Sequence, residues 1–438
     1  MEKQFIKPST LPGFMELLPA DQIVFNNIMD IIRSNYEKGG FIPMDTPIIE
    51  KTEILLAKGG QETDKQIYRF TKGSNDISLR FDLTVPFARY SAQHMSDLTF
   101  PFRRYQIGKV FRGERNQKGR YREFYQCDID IINNGELSIV NDAEIPSIIY
   151  SIFTEIGLSS FKIRINNRKI LNGFFSYLGI LNGVEVLRII DKVDKIGMEA
   201  VCGELKELGL DEAAVDKIIN FIDIKGSNQE ILNSLAELNI ENEDFKLGLD
   251  ELSKVIYYIG CFGVPEKNYI IDLKIARGLE YYTGTVYETM LDDYPNIGSI
   301  CSGGRYEDLA GHYTNQKLQG VGISIGLTRL FSQLRELGIL KENASSSLTK
   351  VLVVPMGETM GYSVEVVKEL RENNIISEVY LENNKFNKKL SYANKLRIPF
   401  VIIIGEEEVN SKILTLKDMN TGEQFSLSIE EIINKVKL

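Results

Sequence analysis

The sequence has few of the residue types on which several common active sites depend. Only two histidines, His94 and His312, are present, so a mechanism built on a histidine base is poorly supported. The four cysteines are scattered and form no CxxC pair, so neither a zinc site nor a disulfide framework is indicated. Neither a P-loop motif nor GxGxxG occurs, so a nucleotide would have to be bound by another architecture.

Long hydrophobic runs and a positive net charge are also absent. No apolar run approaches the length that a transmembrane helix needs, and the first residues lack the apolar core of a secretory signal. The formal net charge of -10 argues against a general nucleic-acid binder, although local basic patches could still bind one RNA. We therefore expect a cytoplasmic protein of two or three domains, without a membrane or DNA as partner.

Cations are nevertheless concentrated in one segment, FRGERNQKGRYREFYQCDID at positions 111–130. The pattern predicts a basic loop between two antiparallel strands, and the second strand carries Gln126, Asp128 and Asp130 at alternate positions. A bound polyanion would account for the cations, and the polar strand would form one wall of a small-molecule pocket. The alternative from these residues alone is a charged hairpin exposed to solvent.

Within this segment, Arg112 is suited to hold a phosphoryl group because arginine stays charged and offers paired donors. We predict that Glu114 lies on the same strand face as Arg112, since the two residues are two positions apart. There its carboxylate could accept a hydrogen bond from an exocyclic amine, or it could pair with an arginine of the loop.

Two glycine-containing segments farther along the chain carry one arginine each. In LKIARGLEYYTGTVYE, Arg277 interrupts an apolar strand and needs a counter-anion, either a ligand or an internal carboxylate. The hydroxyls of Tyr281 and Tyr282, which follow it, could hydrogen-bond a polar ring. In GVGISIGLTRL, small residues before Arg329 leave a flat surface for a base or ribose, although such glycine-rich joints are also common in protein cores.

Composition and periodicity divide the chain into domains. A catalytic domain is predicted over residues 1–338, and a mainly helical insertion with amphipathic spacing interrupts it at 167–266. A Ser-rich linker over 339–349 leads to a C-terminal α/β domain over 350–438. Strands and helices alternate in this last domain, which predicts a mostly parallel sheet.

Taken in order, these segments resemble the signature motifs of the class II aminoacyl-tRNA synthetases, and of the histidyl-tRNA synthetases in particular. GGFIPMDTPIIE is similar to motif 1, FRGERNQKGRYREF to motif 2 and GISIGLTRL to motif 3, while RGLEYYTG resembles the histidine-specific element. The resemblance covers essentially the whole chain. It implies an α+β catalytic domain built on an antiparallel sheet flanked by helices, with a helical insertion and a C-terminal α/β anticodon-binding domain.

The resemblance also implies roles for individual residues. Arg112 would contact the α-phosphate of ATP and the histidine carboxylate, and Arg277 would stabilise charge at the same phosphate, so these two are the predicted catalytic residues. The predicted ATP-binding residues are Arg112, Glu114, Phe124 and Arg329. The predicted histidine-binding residues are Asp82, Leu83, Thr84, Arg112, Gln126, Asp130, Arg277, Tyr281 and Tyr282.

The implied partners are L-histidine, ATP and tRNA(His), and a homodimer is expected because motif 1 forms the class II interface. ATP enters as a substrate, and we expect Mg²⁺ to arrive bound to ATP rather than in a dedicated protein site. The predicted tRNA-binding residues are Gln117, Lys118, Lys388 and Lys389. For the last two, which lie on a predicted basic helix, an ordinary solvated helix is the alternative.

The implied reaction is the activation of histidine by ATP to histidyl-adenylate and pyrophosphate, followed by transfer of histidine to the 3′ end of tRNA(His). Catalysis of the first step depends mainly on positioning and charge stabilisation, so it needs arginines more than a histidine base. Two alternatives remain. One is a non-catalytic paralogue that serves as the regulatory subunit of ATP phosphoribosyltransferase and typically lacks the anticodon-type domain. The other is an RNA-binding pseudo-synthetase.

Overall fold

The computed structural model describes residues 5–57, 65–114, 119–275, 282–308, 310–340 and 346–437. The chain folds into two compact units. The larger unit comprises Met1–Met15 with Met29–Leu337, and the smaller comprises Glu16–Ile28 with Gly338–Leu438. Among the described helices, none combines the length and the apolar content that a membrane span requires.

The larger unit is built on a broad sheet. Its strands, in chain order, are β1 (Ile42–Pro43), β2 (Ile49–Lys51), β3 (Arg69–Lys72), β4 (Asn75–Leu79), β5 (Phe102–Phe111), β6 (Glu123–Asn134), β7 (Phe161–Asn167), β8 (Tyr269–Ile271), β9 (Tyr282–Leu291), β10 (Cys301–Tyr306) and β11 (Leu318–Gly326). Within the described residues, eight strands form one sheet in the order β1-β5-β6-β11-β10-β9-β7-β8, and β2-β4-β3 form a small second sheet. The six central strands pair antiparallel, and only the edge pairs β1–β5 and β7–β8 are parallel within this described sheet. The predicted antiparallel catalytic sheet is therefore confirmed, with parallel pairing at its edges.

Helices follow the strands on either side of the sheet. The described helices up to Leu337 are α1 (Pro19–Lys38), α2 (Thr52–Leu56), α3 (Thr84–Gln93), α4 (Val140–Ile156), α5 (Arg168–Tyr177), α6 (Gly183–Ile190), α7 (Val193–Ile196), α8 (Met198–Glu207), α9 (Glu212–Ile222), α10 (Asn228–Glu237), α11 (Glu243–Cys261) and α12 (Leu327–Glu336). Helices α5 to α11 lie between β7 and β8, in the part of the chain where the sequence predicts an insertion. A Cβ at Gly248 would lie only 2.7 Å from the Ile170 amide nitrogen, so glycine lets α11 pack closely on α5.

The basic loop begins earlier than the sequence predicts. Strand β5 ends at Phe111, so Arg112 and Glu114 lie beyond it, and the expectation that they share a strand face is wrong. The reason is a change of hydrogen-bond partner, because the Gly113 amide donates to the Gln66 carbonyl at 2.6 Å instead of continuing the ladder with β6.

The smaller unit has its own sheet. Its elements are β12 (Val351–Pro355), α13 (Met360–Glu372), β13 (Ser377–Val379), α14 (Phe386–Leu396), β14 (Phe400–Ile404), α15 (Glu406–Ser411), β15 (Leu414–Asp418), β16 (Gln424–Leu427) and α16 (Ile429–Lys437). The strand order is β13-β12-β14-β15-β16. The first three strands are parallel, as predicted, whereas β15 and β16 pair antiparallel. Neither α15 nor β16 is foreseen by the sequence pattern.

Alternate residues of β12 enter two separate apolar clusters, which places helices on both faces of this sheet. Val351 and Val353 belong to the cluster that includes residues of α13 and α16. Leu352 and Val354 belong to the cluster that includes Ala393 of α14. The predicted C-terminal α/β domain is therefore confirmed as a fold, because a strand that is buried on both faces needs apolar residues at every position.

Candidate active site

A row of polar side chains lies on one face of the large sheet. Gln126, Asp128 and Asp130 alternate along β6, so they project from the same face, and all three are buried. The residues directly opposite them are Gly326, Ser324 and Gly322 on β11, and Gly108, Gln106 and Arg104 on β5. On this face the polar residues of β6 therefore have small neighbours on β11, whereas on β5 Asp128 lies opposite Gln106 and Asp130 opposite Arg104.

The glycines of this face are required by side chains that cross from neighbouring strands. A Cβ at Gly322 would lie 2.2 Å from Asp130 Oδ1. A Cβ at Gly304 on β10 would lie 3.0 Å from the Tyr282 ring. Any larger residue at either position would push the acid or the tyrosine out of place.

Asp130 is held by two protein donors. Its carboxylate forms a buried ion pair with Arg104, and Oδ1 accepts a hydrogen bond from the Tyr306 hydroxyl at 2.8 Å. Burial raises the pKa of Asp130 to about 6, while Arg104 and the Tyr306 hydroxyl act in the opposite direction. The Arg104 guanidinium lies over the Phe87 ring at 4.2 Å, and none of its three nitrogens has a hydrogen-bond partner among the described residues.

Asp128 is less completely paired. Burial raises its pKa to about 7, and the charge of Arg104 and a hydrogen bond with Ser324 lower it again. The Ser324 hydroxyl also accepts from Gln126 Nε2 at 2.9 Å. Asp128 Oδ1 and Gln126 Oε1 are buried and have no hydrogen-bond partner among the described residues. Together with Oε1 of Gln106, which lies opposite Asp128 on β5, three acceptors on this face are therefore unsatisfied.

The segment before α3 forms a second wall. Asp82 Oδ1 accepts from the Val85 amide at 3.0 Å, which holds the carboxylate at the start of the helix. Leu83 is fully buried, and Thr84, the first helical residue, is half-buried. Burial raises the pKa of Asp82, and its negative charge in turn raises the pKa values of Asp128 and Asp130. The three carboxylates therefore lie near enough to one another for their charges to interact.

Arg112 joins this wall to the basic loop. Its Nε donates to the Phe81 carbonyl at 3.1 Å, and its guanidinium carbon lies 5.2 Å from the centre of the Phe124 ring. The Arg112 charge also lowers the pKa of Asp82. The structure thus brings Arg112 to a residue that lies 31 positions earlier in the sequence. Glu114 accepts from Arg120 Nη1 at 3.1 Å, so of its two predicted partners the loop arginine is the one observed.

Arg329 lies at the third position of α12, near the start of the helix as predicted. Its Nη2 donates to the Ile297 carbonyl at 2.5 Å, and its Nε is buried without a hydrogen-bond partner among the described residues. Burial and then the positive charge of Arg120 lower the pKa of Arg329. An anion between Arg329 and Arg120 would relieve both effects.

Tyr282, at the start of β9, is half-buried.

Four predicted site residues lie outside the described residues, namely Gln117, Lys118, Arg277 and Tyr281. The two predicted lysines of α14 are described. Lys388 is exposed and donates to Asn384 Oδ1 at 3.0 Å. The prediction that Lys389 lies on an exposed basic face is wrong, because its side chain is buried and Nζ donates to the Pro355 carbonyl at 2.7 Å.

Four residues of this face were not predicted from the sequence as site residues, namely Arg104, Asp128, Tyr306 and Ser324. A signal was present for one of them. In FRRYQIGKVF, Arg104 and Gln106 alternate inside an otherwise apolar strand, which is the pattern of a polar sheet face. The partners of Asp130 depend on strand register, which the sequence pattern did not define.

Comparison with known proteins agrees with this geometry. The family model described as histidyl-tRNA synthetase matches residues 13–330, and the model described as anticodon binding domain matches residues 350–438. The histidine--tRNA ligase of Clostridium tetani is 67% identical over 437 residues and covers 100% of both chains. The crystal structure of histidyl-tRNA synthetase from Nostoc sp. PCC 7120 is 42% identical, with a TM-score of 0.93 and 99% of each chain covered.

A structure from Bacillus halodurans, titled as an ATP phosphoribosyltransferase regulatory subunit/histidyl-tRNA synthetase, matches more weakly. It is 22% identical with a TM-score of 0.75, and covers 90% of this chain and 97% of its own, so it shows the fold alone. The regulatory alternative is accordingly less supported than the ligase. On its motifs, its site and these matches, the chain belongs to the histidyl-tRNA synthetase family.

Proposed function

We propose that the polar face around Gln126, Asp128 and Asp130 is where this histidine–tRNA ligase forms histidyl-adenylate. The observation that carries the proposal is the convergence of three buried acids with the half-buried Arg112, beside a sheet face whose buried acceptors are not all satisfied. A polar amino acid supplies donors for those acceptors and a carboxylate for Arg112. Because an unsatisfied buried polar group is costly, a ligand that satisfies it gains affinity and selectivity.

The histidine would lie along β6. We propose that its α-ammonium group is held by Asp82 and Thr84 with Gln126, and that its imidazole lies towards Asp130, Tyr281 and Tyr282. Leu83 would contribute buried apolar contact. The carboxylate of the bound histidine would then face Arg112, which the Phe81 carbonyl already orients. Support comes from the charge coupling between Asp82, Asp130 and Arg112, which requires that these groups are close together.

ATP would bind beside the histidine carboxylate. In the proposed arrangement Phe124 stacks on adenine, Glu114 accepts from its exocyclic amine after releasing Arg120, and Arg329 binds the far phosphates. The lowered pKa of Arg329 supports this role, because a bound phosphate would offset the loss of hydration. Mg²⁺ would enter with ATP. Among the described residues, no group of three His, Cys, Asp or Glu side chains is arranged to hold a metal ion.

The chemical step transfers the adenylyl group. A histidine carboxylate oxygen attacks the α-phosphorus, a new P–O bond forms, and the bond to the pyrophosphate oxygen breaks. Charge develops on the α-phosphate oxygens, so Arg112, and in our proposal Arg277, would act by stabilising that charge rather than by moving a proton. Histidine then passes to the 3′ end of tRNA(His), for which Gln117, Lys118 and Lys388 are the proposed contacts.

The proposed organisation follows the sequence analysis. We propose a catalytic domain over 1–338 with the insertion at 167–266, a linker over 339–349, and the anticodon-binding domain over 350–438. We also propose a homodimer that works in the cytoplasm. The family matches end at residue 330 and resume at residue 350, which supports these boundaries.

The direct test is histidine-dependent exchange of pyrophosphate into ATP by the purified protein. We expect exchange in the wild type, and its loss in Arg277→Ala with an unchanged thermal unfolding temperature. Histidine binding without exchange would contradict the proposed adenylation. Near-normal exchange by Arg277→Ala would contradict the role of Arg277 alone.

A further inference from the structure

Asp128 is a buried carboxylate to which the proposed function gives no role of its own. Its relative exposure is 2%, and Oδ1 has no hydrogen-bond partner among the described residues. Asp130, two positions along the same strand, differs because it accepts from Tyr306 and pairs with Arg104. Buried carboxylates are normally satisfied, so an open oxygen at this position indicates a missing donor.

A second unsatisfied acceptor lies beside it. Gln126 Oε1 is buried without a partner among the described residues, and Gln126 projects from the same face of β6 as Asp128. Ser324 lies between the two side chains, because it accepts from Gln126 Nε2 at 2.9 Å and hydrogen-bonds to Asp128. The two open oxygens therefore border one space on this face.

The charges around Asp128 favour a cation as the missing donor. The charged groups that act on Asp128 are Arg104, Asp130 and Asp82. Arg104 is ion-paired with Asp130, and Arg112, which lowers the pKa of Asp82, is half-buried, so these three buried acids face two arginines, of which one is fully buried. A neutral N–H would satisfy one oxygen but would leave this imbalance in place.

We propose that Asp128 is a further histidine-binding residue, which accepts a hydrogen bond from the substrate's α-ammonium group through Oδ1. An ammonium group has three N–H donors, which Asp82 and Thr84 on one side and Gln126 Oε1 and Asp128 Oδ1 on the other would share as acceptors. The proposal rests on the placement of histidine along β6 in the proposed function.

The test compares the dissociation constants of three ligands for two proteins. The proteins are the wild type and Asp128→Asn, and the ligands are L-histidine, histidinol, which keeps the ammonium group, and imidazolepropionate, which lacks it. Asparagine keeps the size and one acceptor but removes the charge. We expect Asp128→Asn to raise the dissociation constants of histidine and histidinol about 10-fold to 100-fold, the range of a charge-assisted hydrogen bond. That of imidazolepropionate should change by less than about twofold.

An equal weakening of all three ligands would overturn the proposal, since Asp128 would then act on the imidazole or on the pocket as a whole. No weakening of histidine would overturn it as well. The matched control is Asp250→Asn, which changes an exposed acid of α11 paired with Lys254 and should leave all three affinities unchanged.

A measurement on the wild type covers the case in which Asp128→Asn does not fold. Calorimetry near pH 7 in buffers of different ionisation enthalpy should detect proton release as histidine binds, because an ammonium group favours the ionised Asp128. Imidazolepropionate should bind without that release, and equal release with both ligands would overturn the inference. Pyrophosphate exchange by the wild type distinguishes failure of the proposed function from failure of the Asp128 inference. Absence of exchange contradicts the proposed function. Normal wild-type exchange together with an unchanged histidine affinity in Asp128→Asn contradicts only the inference about Asp128.

Discussion

Two buried arginine–aspartate pairs occupy opposite faces of the same sheet and are satisfied to different degrees. Arg305 donates through Nε and Nη2 to Asp142 at 2.7 to 3.1 Å, and Nη2 also donates to the Ser138 carbonyl at 3.2 Å. Arg104 forms an ion pair with Asp130, but none of its three guanidinium nitrogens has a hydrogen-bond partner among the described residues. Both arginines are almost completely buried, so burial alone does not distinguish them.

The difference separates a structural pair from a pair in a binding site. Arg305 ties β10 to α4, and its partner Asp142 is satisfied within the fold. Arg104 lies beside the unsatisfied oxygens of Gln126 and Asp128, where a ligand can complete the hydrogen bonds. Unpartnered polar atoms that cluster on one face of a sheet therefore indicate where the substrate binds.

The largest expected effect on stability comes from the structural pair. Arg305→Leu leaves the buried Asp142 carboxylate without its cation, so we expect the free energy of unfolding to fall by about 3–5 kcal/mol. Urea unfolding measures this change, and the KM for histidine of the folded fraction should stay within about twofold. Lys246→Ala, which breaks an exposed pair with Glu241, is the control and should leave stability nearly unchanged. A raised KM for histidine in Arg305→Leu would contradict the separation of the two pairs.

Arg104→Leu should lose a similar amount of stability but should also damage binding. Without Arg104, Asp130 loses its cation, and both Asp128 and Asp130 lose a positive charge that favours their ionised forms. We therefore expect the KM for histidine to rise at least about 10-fold. Steady-state pyrophosphate exchange measures the KM values for histidine and for ATP separately. A variant with lowered stability and an unchanged KM for histidine would make Arg104 a structural residue like Arg305.

The acids of the site should make stability fall as pH rises. In the folded protein burial raises the pKa of Asp128 to about 7 and that of Asp130 to about 6, so the folded state holds these protons more tightly than the unfolded chain does. Their contribution is complete below pH 4 and is lost as pH rises through 6 to 7, a change on the order of a few kcal/mol. Urea unfolding from pH 4 to 8 measures it. Asp128→Asn should make the free energy of unfolding depend less on pH, and an unchanged dependence would contradict the raised pKa of Asp128.

The smallest effect concerns the glycine that accommodates Asp130. In Gly322→Ala the new Cβ would meet Asp130 Oδ1 at 2.2 Å, so we expect about 1–3 kcal/mol of destabilisation together with a higher KM for histidine. Gly203→Ala is the matched control, because nothing lies within 4 Å of a Cβ there and the helix should gain about 0.5–1 kcal/mol. Thermal unfolding distinguishes them, and equal behaviour of the two variants would contradict the steric argument.

The sequence pattern predicted one half of the pocket and not the other. Gln126 and Asp130 were found because they alternate along a single strand, and Arg112 because it follows that strand's partner in one motif. Arg104 was missed because it meets Asp130 through the register of β5 with β6, and Tyr306 was missed because it lies on β10, 176 positions farther along the chain than Asp130. Strand register depends on the whole sheet, so a single sequence does not reveal it.

The C-terminal lysines illustrate the same limit. Neighbouring positions on a helix point about 100° apart, so one of Lys388 and Lys389 can be exposed while the other is buried. Periodicity gives this angle but not which side the protein covers. Only the packed sheet decides that Lys389 is buried and donates to the Pro355 carbonyl.

The sequence by itself determined the family motifs, the alternating polar strand, the antiparallel character of the larger sheet and the α/β character of the C-terminal part. These features depend on local periodicity and on short motifs, which a linear chain carries directly. Only the tertiary structure decided which arginine pairs with Asp130, why residue 322 must be glycine, and which buried oxygens remain unsatisfied. These properties depend on distances between strands far apart in the chain, and they exist only after the strands have paired.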